Sequence, residues 1–207
     1  MKNVNWPRLL LIGLMSANAS SVTAGSVALT PGQYEGLMVA ITPDHKVEGY
    51  FSEELGEGVS RRCAFYLQGQ LDDASPMRVT TWKRQAFPGS VAATTDGIEL
   101  RVPKGQEHPG CGSVLGPEIS TGLSLSRTAS KHWIGLATVS AERAYLQKNR
   151  GEDGSRGPYI IKGDVVGLLA SQPGWAHVEF TGDDERSHIG WIRQDQINPL
   201  KPSDSLR

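Results

Sequence analysis

The residues best suited to acid–base chemistry form an acidic cluster in the first third of the chain. Its members are Glu48, Glu53, Glu54 and Glu57. A glycoside hydrolase needs two carboxyl groups at a defined separation, one acting as acid and the other as base or nucleophile. Acids crowded beside glycines usually form a solvated loop, so we expect these side chains to be exposed. A hydrolase remains an alternative only if the cluster converges in the fold.

Histidines and known motifs make no stronger case for catalysis. The five histidines are scattered without ligand-type spacing: His45, His108, His132, His177 and His188. A hairpin could bring His177 to His188, but two imidazoles without a carboxylate make a weak metal site. The chain also lacks the Gly-x-Ser-x-Gly, His-Glu-x-x-His, phosphate-loop and dinucleotide-binding patterns. We therefore predict a protein that is not an enzyme and holds neither a metal nor a cofactor.

The two cysteines of the chain are Cys63 and Cys111. Their wide separation differs from the Cys-x-x-Cys spacing of redox pairs and zinc sites. An even number of cysteines in an exported protein usually pairs, so we predict one structural disulfide. Cys63, Phe65 and Leu67 are every second residue, and Arg62, Gln68 and Gln70 have the opposite parity. This pattern places the three apolar residues on one face of a strand, against the core.

The first 24 residues have the organisation of a secretory signal peptide. Lys2 and Arg8 precede a short apolar run at 9–15, and small residues that suit cleavage follow. That run is shorter than the roughly 20 residues that would span a bilayer. We predict cleavage, export to the periplasm and no membrane span. The formal net charge is −1 with no visible basic stripe, so we do not expect nucleic acid as a partner.

Short β-prone runs bounded by Gly, Pro, Asp and Asn recur from Gly32 to Val139. This spacing predicts an antiparallel barrel or sandwich. The chain is also long enough for a second, smaller unit. We predict an all-β protein in which an antiparallel domain with one disulfide at 26–139 precedes a small barrel at 140–200 and a tail at 201–207.

The C-terminal third carries the most coherent pattern. Tyr159-Ile160-Ile161-Lys162-Gly163-Asp164-Val165-Val166, then Pro173-Gly174-Trp175, then Gly190-Trp191-Ile192, read as strands and turns. Their types and spacing resemble the bacterial Src-homology-3-like (SH3-like) family, whose members are typically small ligand-binding modules of the cell envelope. The resemblance implies an SH3-like barrel with a ligand groove. It also implies ligand-binding roles for four aromatic residues: Tyr145, Tyr159, Trp175 and Trp191.

Some of these aromatic residues also have structural interpretations. Trp175 could be a half-buried structural residue, and the apolar strand around Trp191 favours a core position for that ring. Residues 140–148 can be a linker helix or, as the resemblance implies, the first strand of the second unit with Tyr145 on it. We favour the strand, because a helix of roughly nine residues is marginal in isolation. Lys148–Pro158 should be a charged loop, and we favour a solvated connector over the position flanking the groove that the SH3-like pattern implies.

The N-terminal unit is similar in style to periplasmic lysozyme inhibitors, small envelope barrels with Gly-x-Tyr-x-Gly hairpins and one disulfide. The segments concerned are Gly32-Gln33-Tyr34-Glu35-Gly36, Val47–Phe51 and Cys63–Gly69. Together the two resemblances predict a non-catalytic binding protein that engages another periplasmic protein, in the manner of an inhibitor or immunity protein. The alternative is a cell-envelope module that binds peptidoglycan or its peptides.

Overall fold

A computed structural model describes residues 27–56, 61–72, 74–152, 157–182 and 186–202. Within these ranges the chain is almost entirely β-structure, which confirms the predicted all-β class. The predicted signal peptide and most of the predicted tail lie outside the described residues.

The first unit is a closed barrel of eight antiparallel strands in which each strand pairs with the next, and β8 returns to β1. This confirms the barrel alternative of the prediction. The strands are β1 Gly32–Tyr34, β2 Leu37–Ile41, β3 Lys46–Leu55, β4 Arg61–Gln70, β5 Met77–Trp82, β6 Ala86–Ala93, β7 Gly97–Arg101 and β8 Leu123–Ser130.

Side-chain alternation fills the barrel interior. Cys63, Phe65 and Leu67 of β4 are each fully buried, as their spacing predicts. Phe65 lies opposite Phe51 of β3, and the two rings stack with their centroids 5.0 Å apart. Gly49 faces Leu67, and a Cβ at this glycine would come within 2.7 Å of the leucine side chain. The barrel therefore encloses a packed core.

The segment between β7 and β8 covers one end of the barrel. It contains two 3-10 turns, Gly105–Glu107 and Cys111–Ser113, and the short helix α1, Glu118–Thr121. Val102, Leu115 and Ile119 of this segment belong to the same core as the strands. The Cys63–Cys111 disulfide joins the segment to β4, which confirms the predicted bond.

His108 belongs to this covering segment, and its side chain is buried. Its ring stacks on Phe65, with 4.7 Å between centroids, and meets the edge of Phe87. Nε2 lies 3.0 Å from the hydroxyl of Thr81, which donates its proton to the carbonyl of Phe87. A hydroxyl has one proton, so Nε2 is the donor to Thr81. Nδ1 is left unprotonated and has no hydrogen-bond partner among the described residues, and burial lowers the pKa of His108 to about 4.

We expect His108 to make the barrel acid-labile. A histidine whose pKa is lowered in the folded state stabilises the fold above the unfolded value of about 6.5, and this contribution is lost as pH falls. The shift to about 4 corresponds to a loss of about 3 kcal/mol between pH 7 and pH 4. Urea denaturation over this range measures the loss. His108→Phe keeps a ring and leaves the Thr81 proton satisfied, so its acid sensitivity should be smaller, whereas exposed His45→Gln should behave as wild type. Equal acid sensitivity in all three proteins would exclude His108 as the cause.

The second unit is built from two antiparallel sheets. Its strands are β9 Leu136–Val139, β10 Arg143–Tyr145, β11 Tyr159–Ile161, β12 Val165–Gln172, β13 Trp175–Thr181, β14 Ser187–Arg193 and β15 Ile197–Pro199, with a 3-10 turn at Gln194–Gln196. One sheet has the order β14-β13-β12-β9-β15 and the other is the β10-β11 pair.

This pairing determines the structure of residues 143–145 and the position of the boundary between the units. Residues 143–145 form a strand, as favoured over the linker helix. The strand at 136–139, which the sequence assigned to the first domain, pairs with β12 and β15 of the second sheet. By hydrogen bonding the barrel ends at Ser130. Sequence spacing did not reveal this boundary, because the strands that pair with β9 lie far along the chain.

Trp133 lies in the five-residue segment between β8 and β9, which connects the two units. Its ring is 1% exposed and lies against Gly167 of β12, where a Cβ would fall 2.2 Å from the indole nitrogen. That nitrogen donates to Glu179 at 2.8 Å. Burial opposes ionisation of Glu179, but hydrogen bonds from Lys131, Ser187 and Trp133 outweigh it and lower the pKa of the carboxyl group. Trp133 is therefore held by close packing against Gly167 and by a hydrogen bond to the Glu179 carboxylate.

Glu48 forms a second link between the units. The sequence predicted a solvated acid, but Glu48 is buried on the outer face of β3 and accepts the backbone N–H of Leu136 at 2.8 Å. Burial raises the pKa of this carboxyl group. Glu53 and Glu54 are consecutive on β3 and so point to opposite faces. These three acids do not converge, and Glu57 lies outside the described residues.

Candidate functional site

Strand alternation sorts the second unit into a core side and an outward side. The core residues are Ala144, Leu146, Ile160, Ala176, Val178 and Ile192. The residues between them point the other way. Tyr145, Tyr159, Trp175, His177 and Trp191 therefore point away from the core, and a bridge between Gln147 and Trp191 joins the two sheets on which they lie. We call these five residues the aromatic face.

Tyr145 and Tyr159 form one end of the aromatic face. They are directly opposite on β10 and β11, and their rings meet edge to face with 5.7 Å between centroids. Tyr159 is 47% exposed. Both tyrosines thus lie on paired strands, and the exposure of Tyr159 leaves it accessible to a ligand.

Trp191 and His177 form the middle of the face. They are opposite each other on β14 and β13, and their rings stack with 4.7 Å between centroids. Trp191 is half-buried and lies outside the core cluster, so the core position that its apolar strand favoured is wrong. Its backbone also pairs with Gln147 through two hydrogen bonds. This pairing brings the chain that follows Tyr145 alongside Trp191.

Trp175 begins β13 after the Pro173-Gly174 turn and lies opposite Arg193. It is half-buried, with the Arg193 guanidinium 5.2 Å from the ring centroid. Gly174 has φ of 75°, a conformation that glycine adopts without strain. All four aromatic residues named from the sequence thus lie outside the core cluster of the second unit.

Three rings of this surface, those of Tyr159, Trp175 and Trp191, each have an arginine over them, a feature that the sequence did not reveal. Arg143 lies over Tyr159 at 4.9 Å and Arg150 over Trp191 at 5.3 Å, in addition to Arg193 over Trp175. The net charge of the chain does not reveal such pairs, because they form between separate strands and loops. Arg150 belongs to the loop that the SH3-like pattern places beside the groove.

The carboxylates near the aromatic face have other partners. Glu142 pairs with Lys162 at 3.0 Å, and Glu152 accepts hydrogen bonds from Asn149. Asp195 lies 4.0 Å from Arg193. Within the described part of the chain, Arg143 and Arg150 form no ion pair.

Metal-ligating side chains do not cluster on this unit. His177 is opposite Trp191 and His188 is opposite Phe180, so the two histidines have opposite parity and point to opposite faces of the hairpin. Among the described ranges, no three His, Cys, Asp or Glu side chains are close enough to hold a metal ion.

The fold and this surface define a two-unit β protein with an arginine-bearing aromatic face. Comparison of the chain with known protein families, characterised proteins and solved structures gave no match. No helix among the described residues has the length and apolar character needed to cross a membrane. The Cys63–Cys111 disulfide fits an oxidising, exported location.

Proposed function

We propose that this protein is a non-catalytic periplasmic binding protein of the inhibitor or immunity type, which docks another protein on its second unit. The observation that carries the proposal is the position of exposed apolar side chains. Tyr159, Ile161 and Ile189 are 47%, 50% and 55% exposed. They are three of the six large hydrophobic residues exposed in the described chain, and their positions on β11 and β14 give all three the outward parity of the aromatic residues. Large apolar side chains left exposed beside aromatic rings are typical of interaction surfaces.

The composition of this surface also suits a protein partner. Tyrosine, tryptophan and arginine are the residues most enriched at the energetic centres of protein interfaces. The rings are held by strand pairing and by neighbouring rings, so little conformational freedom is lost when a partner docks.

Binding of peptidoglycan peptides by an SH3-like module is the second candidate. Two observations favour it: residues 143–145 form a strand, as the resemblance requires, and Arg150 of the flanking loop lies against Trp191. Stem peptides carry carboxylates, which arginines bind well.

A paired capture experiment distinguishes the two candidates. The mature protein serves as bait in a pull-down from periplasmic extract, and the same protein is sedimented with purified peptidoglycan sacculi. A stoichiometric protein partner without sacculus binding supports the inhibitor or immunity function. Co-sedimentation with sacculi and no protein partner would replace that function with wall binding.

Trp175→Ala should weaken partner binding without unfolding the protein. Loss of a central interface tryptophan typically reduces affinity by at least about tenfold, whereas a half-buried ring near a turn contributes less to the fold than a core residue. Affinity for the captured partner and the melting temperature are measured together. Leu55→Ala removes an exposed apolar side chain from the barrel and should change neither quantity. A loss of stability in Trp175→Ala that accounts for the loss of binding would make Trp175 a structural residue.

A further inference from the structure

We propose that the aromatic face takes an acidic segment of its partner protein, and that Arg143 and Arg150 bind the carboxylates of that segment. The inference rests on the proposed function and specifies the chemistry of the partner. It follows from how these two arginines are held, from the absence of counter-charges on them among the described residues and from the apolar residues beside them.

The rings orient the guanidinium groups. A guanidinium that stacks on an aromatic ring uses its face for the ring and leaves its N–H donors at the edge free. Arg143 is 4.9 Å from the Tyr159 centroid and Arg150 is 5.3 Å from that of Trp191. Both arginines are exposed. Each can therefore offer a planar pair of donors to a carboxylate in bidentate geometry.

The charge of these two arginines is not neutralised within the described chain. Glu142 and Glu152 lie next to them in sequence, but their carboxylates bind Lys162 and Asn149. Arg193 differs, because Asp195 already lies beside it. A protein of formal net charge −1 thus concentrates two unpaired cations on the face that also exposes its apolar groups.

The mixture of charge and apolar surface favours an acidic protein segment over nucleic acid. Proteins that bind a phosphate backbone use several phosphate contacts along a basic groove, whereas only two unpaired arginines occur here among the described residues of the face. Tyr159 and Ile161 flank Arg143 across the β10-β11 pair. A segment in which Asp or Glu alternates with apolar residues complements both features.

The test uses a labelled peptide that repeats Glu-Glu-Leu-Gly and a matched peptide with Gln in place of each Glu. Fluorescence anisotropy measures their affinity for the mature protein at low and at physiological salt. We expect the Glu peptide to bind at least about tenfold more tightly, as charge-assisted hydrogen bonds to two carboxylates provide, and this preference to weaken with salt. The double variant Arg143→Gln with Arg150→Gln should lose the preference.

The matched control is the double variant Arg78→Gln with Arg84→Gln, which removes two exposed positive charges from the barrel. It should retain the preference. Equal binding of the two peptides, or an equal loss in the control, would overturn the inference. Equal displacement of the Glu peptide by oligothymidylate would overturn the choice of a protein acid.

Capture of the natural partner separates this inference from the proposed function. If Trp175→Ala loses the partner while the Arg143 and Arg150 double variant retains it, the proposed function stands and the acidic segment is excluded. If the wild type binds sacculi and no protein, the proposed function fails whatever the peptides show. Loss of the partner in both variants, with retention in the barrel control, supports both.

Discussion

Removal of the Cys63–Cys111 disulfide should destabilise the barrel by about 4 kcal/mol. The bond joins residues 48 positions apart, and closing a loop of that length restricts the unfolded chain by about this free energy in the chain-entropy model. Both cysteines are fully buried, so the variant combines Cys63→Ala with Cys111→Ala to avoid burying a hydroxyl. At about 2–4 °C per kcal/mol for a chain of this size, we expect the melting temperature to fall by about 10 °C.

Reduction of the wild type provides the control for this prediction. Wild type in reductant should approach the double variant, and reductant should not affect the variant itself. Urea denaturation separates the two contributions, because a lost cross-link also exposes more chain on unfolding and raises the denaturant slope. An unchanged midpoint in the double variant would mean that core packing alone holds the covering segment, and the stabilising role of the disulfide would be wrong.

Trp133→Ala should destabilise the junction between the two units by about 3–5 kcal/mol, the usual cost of removing a buried large aromatic side chain. The ring is 1% exposed and packs on Gly167. Its truncation leaves a cavity and also takes one hydrogen bond from Glu179. Trp133→Phe keeps most of the ring and loses that hydrogen bond, so its cost should be smaller, about 1–3 kcal/mol. Urea denaturation gives both values.

A double-mutant cycle tests whether the glycine and the tryptophan act together. Gly167→Ala places a methyl group where the indole nitrogen lies 2.2 Å away and should strongly destabilise the wild type. In the Trp133→Ala background the same change meets an empty space and should cost much less. Additive effects would contradict direct packing between these residues. Trp175→Ala, at a half-exposed position, shows how much stability a tryptophan outside the core contributes.

Local patterns were sufficient to predict the all-β class and the disulfide. The period of two in β4 predicted that Cys63, Phe65 and Leu67 face the core, since alternation is a property of a single strand. The separation of rings from core in the second unit follows the same rule, although the apolar residues around Trp191 concealed it. The available signal was Gly190, which occupies the core side of β14 directly before Trp191. Because neighbouring residues of a strand point to opposite faces, Trp191 points away from the core.

The features that sequence reasoning missed depend on contacts between distant segments. β9 could not be assigned to the second sheet because its partners, β12 and β15, begin tens of residues later. We predicted a solvated Glu48 because nothing near it in sequence indicates that the backbone N–H of Leu136 donates to its carboxylate. The pairs formed by Arg143 and Arg150 with aromatic rings likewise depend on pairing register, which residue types alone do not specify.

The closure of β1 on β8 also determines how this protein reaches its native state. Gly32 pairs with Ser130, so the last ladder of the barrel joins residues that are almost a whole domain apart in the chain. Such a distant pairing forms more slowly than the hairpins between consecutive strands, because the entropy of ordering the intervening chain is lost before the contacts form. Until β8 pairs with β1 and β7, each of those two strands has an unpaired edge. The newly made chain is most prone to aggregation during that interval.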